Sequence, residues 1–266
     1  MKRIFNSSAL IFFVAIIISS CSSSKEVESL SAEEQFKLAM KNFEKENYLE
    51  AIENFKIVTV QYQGSSYADD AQFYIAESRF LRGEYILAGA EYDMLVRSMP
   101  SSSFVPIARY KRALSFYNLS PKSQLDQKYT KLAIDDFQTF IEYSPKDTLV
   151  PDAEQKISEL TNKLALKIFE SGKLYYRMEF YKAAISYFDY VIEIYHDTEF
   201  ADDAFLWKAR SYHERKDDVS ALRTLEQLFE KFPASTVADE ANELKKEIMN
   251  NSHSSFAAPI TSSTGS

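Results

Sequence analysis

Paired carboxylates are the side chains in this sequence whose types and spacing could support catalysis or metal binding. Asp69–Asp70 and Asp202–Asp203 are adjacent acids of the kind used for metal binding and general acid–base catalysis. Each pair follows a hydroxyl residue, an aromatic residue and an alanine, and Ser235–Ala241 is a third copy with valine in the aromatic position. Repetition at predicted helix starts favours a structural role, because a hydroxyl can cap a helix N-terminus and the helix dipole stabilises acids in the first turn.

The three histidines give no better candidate for a catalytic or metal site. His196, His213 and His253 are too scattered to have metal-ligand spacing. Five glycines leave no Gly-rich phosphate loop, and neither G-x-S-x-G nor H-E-x-x-H occurs. We therefore predict a protein that is not an enzyme, with no catalytic residues, no metal and no cofactor.

Cys21 is the only cysteine, and it directly follows a predicted export signal. Lys2 and Arg3 precede the ten apolar residues Ala9–Ile18, a run too short for a hydrocarbon core that needs about 20. Residues 18–21, Ile-Ser-Ser-Cys, resemble the lipobox of bacterial lipoproteins. That resemblance implies cleavage before Cys21 and lipid attachment to it. The alternative is an ordinary secretory signal with an incidental cysteine.

The composition favours helices and disfavours two classes of partner. The formal net charge is −8, which opposes binding to nucleic-acid phosphates and to anionic lipid surfaces. Five glycines and seven prolines in 266 residues leave few of the turns that an all-β fold needs. Leu, Ala, Glu and Lys are abundant, as in helical proteins.

Internal repeats define the predicted fold. An alanine followed four residues later by a bulky side chain recurs, and a small residue stands twelve positions before most of these alanines. Small side chains let two helices approach closely at a crossing. The pattern resembles the tetratricopeptide repeat, with insertions, because the alanine spacings of 37, 45, 51 and 37 exceed the family period of about 34. The alanines are Ala51, Ala88, Ala133, Ala184 and Ala221, and the preceding small residues are Ala39, Ala76, Gly172 and Ala209.

We predict an all-α, right-handed solenoid of about five tetratricopeptide-like helix pairs with a C-terminal capping helix. The predicted helices are 31–46 with 48–61, 66–82 with 84–98, 103–118 with 127–143, 150–177 with 180–195, 199–215 with 217–231, and the cap 235–249. The predicted segments are a signal peptide (1–20), a lipidated tether (21–30), repeats one to three (31–146), repeats four and five with the cap (147–249) and a disordered tail (250–266).

Two binding surfaces are expected on the face lined by the first helix of each pair. For every aromatic residue in these sets, the alternative is ordinary packing between helices. The candidate peptide groove comprises Phe36, Met40, Phe43, Phe73, Glu77, Phe80, Tyr110, Leu114 and Tyr117. The candidate subunit-docking face comprises Lys173, Tyr176, Arg210 and His213.

The combination of signal, lipobox, short tether, five repeat pairs and cap resembles the BamD family over residues 1–249. These are lipoproteins of the machinery that inserts β-barrels into the bacterial outer membrane. The resemblance implies an outer-membrane lipoprotein whose repeats face the periplasm. It implies as partners the periplasmic domains of the barrel-forming subunit BamA, other assembly lipoproteins and unfolded outer-membrane proteins. Substrate contact would fall to 31–118 and subunit docking to 150–249.

Two other classes of repeat lipoprotein remain as alternatives. A periplasmic protein that coordinates envelope or division proteins usually adds an N-terminal coiled coil, and residues 22–30 are too short for heptads. A carbohydrate-binding lipoprotein of the starch-utilisation type is much longer and carries its ligand site outside the repeats.

Overall fold

The computed structural model describes residues 30–256, with the backbone alone described for 251–256, and its regular elements in that range are all α-helices. The all-α class and the scheme of five helix pairs followed by one more helix are confirmed. In chain order the helices are α1 (Ala32–Glu44), α2 (Tyr48–Gln61), α3 (Ala68–Leu81), α4 (Tyr85–Ser98), α5 (Val105–Leu119), α6 (Lys128–Tyr143), α7 (Val150–Arg177), α8 (Tyr181–Ile194), α9 (Ala201–Glu214), α10 (Asp218–Lys231) and α11 (Ala238–Phe256).

The helices stack in chain order, as expected for a solenoid. Each helix contacts the next one from α1 to α11, and α9 also contacts α7 and α11. Most of the described buried hydrophobic residues form five clusters, each made by one pair together with the helix that follows it. Ala241, Leu244 and Ile248 of α11 close the cluster of the last pair. The C-terminal helix therefore covers an apolar surface that would otherwise face water.

The small residues of the repeat lie at the helix crossings. They are needed there because the two helices of a pair come too close for larger side chains. In the fourth pair the first small residue is Gly172, which faces the buried ring of Phe188. The alanines with no exposed surface at these positions are Ala39, Ala51, Ala76, Ala88, Ala133, Ala184, Ala209 and Ala221.

Four of the pairs share one turn geometry between their two helices. A residue five positions before the repeat alanine has a left-handed backbone: Glu46 (φ 61°), Gly83 (φ 75°), Glu179 (φ 62°) and Lys216 (φ 62°). The left-handed residue ends the first helix and reverses the chain within three or four residues. In the third pair the loop 120–127 replaces this turn, between the two helices predicted at 103–118 and 127–143.

The predicted hydroxyl caps are wrong for the helices that carry the paired acids. Helices α3 and α9 begin at Ala68 and Ala201, and their N-cap residues are Tyr67 and Phe200, which form no side-chain cap. The hydroxyl residues lie in the preceding turn instead, as at Thr198, whose N–H donates to Tyr195 O. The aromatic residue takes the N-cap position because its ring packs on the first helix of the preceding pair. Phe200, for example, stacks on Phe169 at 5.6 Å.

The predicted end of the last helix is also wrong. Helix α11 continues to Phe256, so the predicted boundary after residue 249 falls too early. The serines and asparagines after Met249 are weak helix formers, but no glycine or proline interrupts the chain before Pro259. The predicted signal peptide (1–20), Cys21 and the tether up to residue 29 lie outside the described residues, and so do residues 257–266.

Candidate protein-binding cleft around Trp207

Three residues of the predicted docking face line one cleft in the C-terminal half of the array. Tyr176 near the end of α7, and Arg210 and His213 on α9, surround a cavity of about 390 Å³. Trp207 of α9 forms part of its wall, and Leu244 of α11 forms another part. The structure therefore brings Tyr176, Arg210 and His213 together around one cleft, to which Trp207 also contributes, and their use in docking stays a prediction.

Several side chains beside this cleft contact the indole ring of Trp207. The ring of Tyr176 meets it edge to face at 5.1 Å, with an interplanar angle of 86°. The guanidinium of Arg210 lies 5.0 Å from the ring centroid, and the ammonium of Lys173 lies 5.4 Å from it. A cation over an indole face is held by the ring quadrupole. All four predicted docking residues therefore lie close to Trp207 or line the same cleft.

Carboxylates already accompany the positive groups of the cleft. Lys173 Nζ lies 3.2 Å from Glu170 Oε1, and Arg210 is paired with Glu240. His213 Nδ1 lies 2.6 Å from Asp218 Oδ1. A partner would therefore meet a surface of mixed charge built around aromatic rings.

Burial and neighbouring charges shift the pKa values of two titratable groups beside the cleft. Burial raises the pKa of the Tyr176 hydroxyl, and the carboxylate of Glu214, to which that hydroxyl donates at 3.4 Å, raises it further. Burial and the neighbouring Asp202 raise the pKa of Asp203, while Lys173 and Arg210 act in the opposite direction. Asp203 of the second acid pair thus interacts electrostatically with two positive groups beside Trp207, although it lies at a helix start.

The first part of the predicted peptide groove is packed against the core. Phe36, Met40 and Phe43 are half-buried against the cluster of the first pair. The ring of Phe36 lies 5.2 Å from that of Tyr67, and the ring of Phe43 lies 5.1 Å from that of Tyr74. Phe36 and Phe43 are therefore only partly exposed, because Tyr67 and Tyr74 at the start and in the middle of α3 pack against them.

The middle of the predicted groove consists of one buried phenylalanine, one glutamate that forms polar contacts, and one half-buried phenylalanine. Phe73 is 9% exposed and stacks on Phe104 at 4.5 Å, so it belongs to the core. Glu77 accepts a hydrogen bond from the Tyr92 hydroxyl and lies 3.0 Å from Lys111 Nζ of the next pair. Phe80 is half-buried, with the Lys111 ammonium 5.0 Å from its ring centroid.

Two tyrosines in the last part of the predicted groove form hydrogen bonds to carboxylates of α7. Tyr110 is 7% exposed, and its hydroxyl donates to Asp152. The Tyr117 hydroxyl donates to Glu159 Oε2 at 2.6 Å, and this hydrogen bond, with burial, raises the pKa of Tyr117 to about 12. Leu114 is half-buried on the same cluster. Most residues of the predicted groove therefore pack between successive helix pairs. The use of this surface as a peptide site stays a prediction.

Trp207 is the functional candidate that the sequence reasoning missed. It precedes Arg210 by three residues and His213 by six, so helical periodicity puts the three on one face of α9. The repeat register drew attention to the positions three before, one after and four after each small residue, and Trp207 stands two residues before Ala209. The available signal in the sequence was that Trp207 is the only tryptophan, a residue type enriched among those that dominate binding at protein interfaces.

Within residues 30–256, no helix combines the length and the apolar character needed to cross a membrane. Within residues 30–250, whose side chains the structure describes, no cluster of His, Cys, Asp and Glu is arranged to bind a metal ion.

A sequence model of the outer membrane lipoprotein family, YfiO, matches residues 28–218. This chain belongs to that family. A tetratricopeptide-repeat model also matches, at residues 203–235, which cover most of α9 and α10. The second match falls on the part of the array that contains Trp207, Arg210 and His213.

Curated relatives extend over most of the chain. The outer membrane protein assembly factor BamD of Rickettsia prowazekii is 28% identical over 201 residues, which are 75% of this chain and 80% of that one. BamD of Pasteurella multocida is 20% identical over 232 residues, 84% of this chain and 89% of the other. Among solved structures, the TPR2AB domain of yeast Sti1 is similar over 82% of this chain and 98% of that one, with 14% identity and a TM-score of 0.40.

Proposed function

We propose that this chain is a scaffold subunit of the machinery that assembles β-barrel proteins in the outer membrane. The observation that carries the proposal is the match to the outer membrane lipoprotein family over residues 28–218. The relatives named outer membrane protein assembly factor BamD support it. In this proposal a lipid on Cys21 holds the protein to the outer membrane, and the repeats face the periplasm.

The Trp207 cleft is the proposed docking site for the periplasmic domains of a BamA-type subunit. Trp, Tyr and Arg are the residue types that most often dominate binding energy at protein interfaces, and here Trp207, Tyr176 and Arg210 lie together. The ring is half-buried, so a partner can cover the rest of it without a large rearrangement of the helices. The mixed charges of the cleft make the association sensitive to salt.

A weaker contact with unfolded outer-membrane proteins is proposed for α1, α3 and α5. Phe36, Phe43 and Phe80 are partly exposed there, while Phe73 and Tyr110 are buried in the core. The available apolar surface is therefore small, and binding rests on several shallow contacts along an extended segment.

Affinity capture from detergent-solubilised outer membranes tests this function. Tagged wild-type chain should retain the BamA-type subunit, identified by mass spectrometry against an untagged control. Arg210→Glu should reduce that retention, because it reverses the charge beside Trp207 and opposes Glu240. The matched control is Arg109→Glu, since Arg109 lies over the ring of Tyr143 at 4.3 Å in a comparable cation–aromatic contact away from the cleft.

Two results would contradict the proposal. One is retention of division or glycan-uptake proteins with no BamA-type subunit. The other is equal loss of the BamA-type subunit in Arg210→Glu and Arg109→Glu, which would show that the cleft has no special part in docking.

A further inference from the structure

Two irregularities of the repeat array meet in the middle of the molecule. Helix α7 has 28 residues, twice the 14 of α8 and α9, and the loop 120–127 replaces the short turn of the third pair. Lys163 Nζ donates to Ser120 Oγ at 2.8 Å, and Lys167 Nζ donates to Leu125 O at 2.6 Å. The inserted loop is therefore held against the middle of the long helix.

A basic pocket of about 290 Å³ lies where the loop, α6, α7 and the end of α8 come together. Lys128, Lys131 and Lys167 line it with one carboxylate, that of Asp126. Lys128 and Lys131 are exposed, and within residues 30–250 neither has a carboxylate at salt-bridge distance. A chain of net charge −8 thus gathers uncompensated positive charge at this pocket.

An apolar pocket continues from the basic one. Ile168 and Tyr190 line both, and Tyr187 joins them around a second space of about 280 Å³. Tyr190 lines both pockets and is 48% exposed, so its ring is available to a ligand. A single ligand can therefore place an anionic group and an apolar group side by side here.

We propose that this surface binds an acidic segment of a protein partner. We name it the lysine–tyrosine groove and define it by Lys128, Lys131, Lys167, Ile168, Tyr187 and Tyr190. Carboxylates of the segment lie beside the lysines, where they gain charge-assisted hydrogen bonds. A neighbouring apolar side chain of the segment covers Ile168 and the exposed part of Tyr190.

The shape and charge of the groove favour a peptide over other anionic partners. A membrane surface or a nucleic acid needs a broad or continuous basic face. The basic part is confined instead to a small concavity and leads directly into an apolar one. The groove shares no lining residue with the Trp207 cleft, so this proposal does not depend on the partner bound there.

Fluorescence anisotropy with a labelled synthetic peptide tests the proposal on the soluble chain from residue 22 onward. The probe peptide carries Glu-Asp-Glu followed by Leu-Phe in a Gly/Ser background. A second peptide has Gln-Asn-Gln in place of the acids, and a third has Ser-Ser in place of Leu-Phe. The first should bind, and each of the other two should bind at least about fivefold more weakly, because each keeps only one of the two contacts.

Variants of the chain locate the binding. The double variant Lys128→Glu/Lys131→Glu should weaken binding of the first peptide at least about tenfold, since two attractive charges become repulsive. The matched control, Lys45→Glu/Lys146→Glu, makes the same change of net charge at two exposed lysines elsewhere and should bind as wild type. Tyr190→Ser should weaken the first peptide but leave the Ser-Ser peptide unchanged.

Three outcomes would overturn the proposal. The first is no binding of the acidic peptide to the wild-type chain at millimolar concentration. The second is equal weakening by both double-lysine variants, which would indicate attraction without a specific site. The third is stronger binding to vesicles of anionic phospholipid than to the peptide, lost in Lys128→Glu/Lys131→Glu, which would assign the groove to a membrane surface.

Discussion

Gly172 of α7 lies directly against the ring of Phe188 of α8. A Cβ atom at Gly172 would be 2.7 Å from Phe188 Cε1 and 3.0 Å from two other ring carbons, closer than packed carbon atoms approach each other. Phe188 has no exposed surface, so its ring cannot move aside freely. This contact sets the distance between the two helices of the fourth pair.

Replacing Gly172 with alanine should therefore destabilise the protein, although alanine is the better helix former. The added methyl overpacks the crossing at a cost of about 1–3 kcal/mol, measured as a lower midpoint of urea unfolding. Gly89→Ala in α4 is the control, because a Cβ there would lie an ordinary 3.5 Å from Phe116 Cζ. That variant should gain about 0.5–1 kcal/mol from helix propensity. Equal effects of the two substitutions would contradict the close crossing.

The shared turn geometry predicts opposite effects of two further substitutions. Gly83→Ala should lose about 1–2 kcal/mol, because a Cβ is disfavoured at a φ of 75°. Glu179→Gly should gain less than about 1 kcal/mol, since it relieves the same strain but makes the unfolded chain more flexible. Thermal unfolding followed by circular dichroism measures both. A stabilised Gly83→Ala would show that the turn is not left-handed.

The sequence predicted the helix pairs well because their signal is local and repeated. Ala39 and Ala51 are twelve residues apart, and the structure buries both completely at one crossing, as the spacing predicts. Helix starts were misplaced because Tyr67 and Phe200, whose rings pack on the preceding pair, compete with Ser65 and Thr198 for the N-cap position and occupy it. That competition involves residues more than thirty positions apart, which a repeat comparison does not reveal.

The candidate sites were harder to predict for a related reason. Arg210 and His213 were identified from their register, but the cleft also needs Leu244 of α11, and no pattern links that residue to α9. Tyr110 was expected on an open face, and instead its hydroxyl reaches Asp152, 42 residues away. Such pairings depend on how closely successive pairs stack, and the sequence of one repeat does not determine that.

The Tyr110–Asp152 contact predicts how acid affects stability. Burial alone would raise the pKa of Asp152, but hydrogen bonds from Tyr110 and Lys156 hold it below its ordinary 3.8. A lowered carboxyl pKa contributes stability above pH 3.8, and that contribution is lost as the pH falls through the folded-state value. Tyr110→Phe removes one of the two hydrogen bonds, so it should be less stable than wild type at neutral pH, and the difference in unfolding free energy should shift toward zero as the pH falls below 3.8.

Urea unfolding between pH 7 and pH 3 measures this shift. The control is Tyr129→Phe, which deletes a tyrosine hydroxyl with no hydrogen bond to any described residue. If wild type, Tyr110→Phe and Tyr129→Phe lose stability in parallel as the pH falls, the contact does not stabilise the charged form of Asp152.

Cys21→Ala should abolish membrane attachment without changing the fold. The only cysteine is the proposed lipid acceptor, and it lies outside the described residues 30–256. After cell fractionation and a high-salt wash, the variant should be in the soluble fraction while wild type stays with the outer membrane. Retention of the variant in washed membranes from cells depleted of the BamA-type subunit would contradict the anchor.

The most direct test of the docking proposal is calorimetric titration of the soluble chain with purified periplasmic domains of a BamA-type subunit. Wild-type chain should bind, and Trp207→Leu should weaken binding by at least about tenfold, as expected for a residue that dominates an interface. Leucine keeps an apolar side chain against the core of the fourth pair, so the fold is retained. Tyr143→Leu removes a ring that also lies beside an arginine, and it should bind within about twofold of wild type. Absence of binding by the wild-type chain, or equal affinities of Trp207→Leu and wild type, would contradict the assignment of the Trp207 cleft.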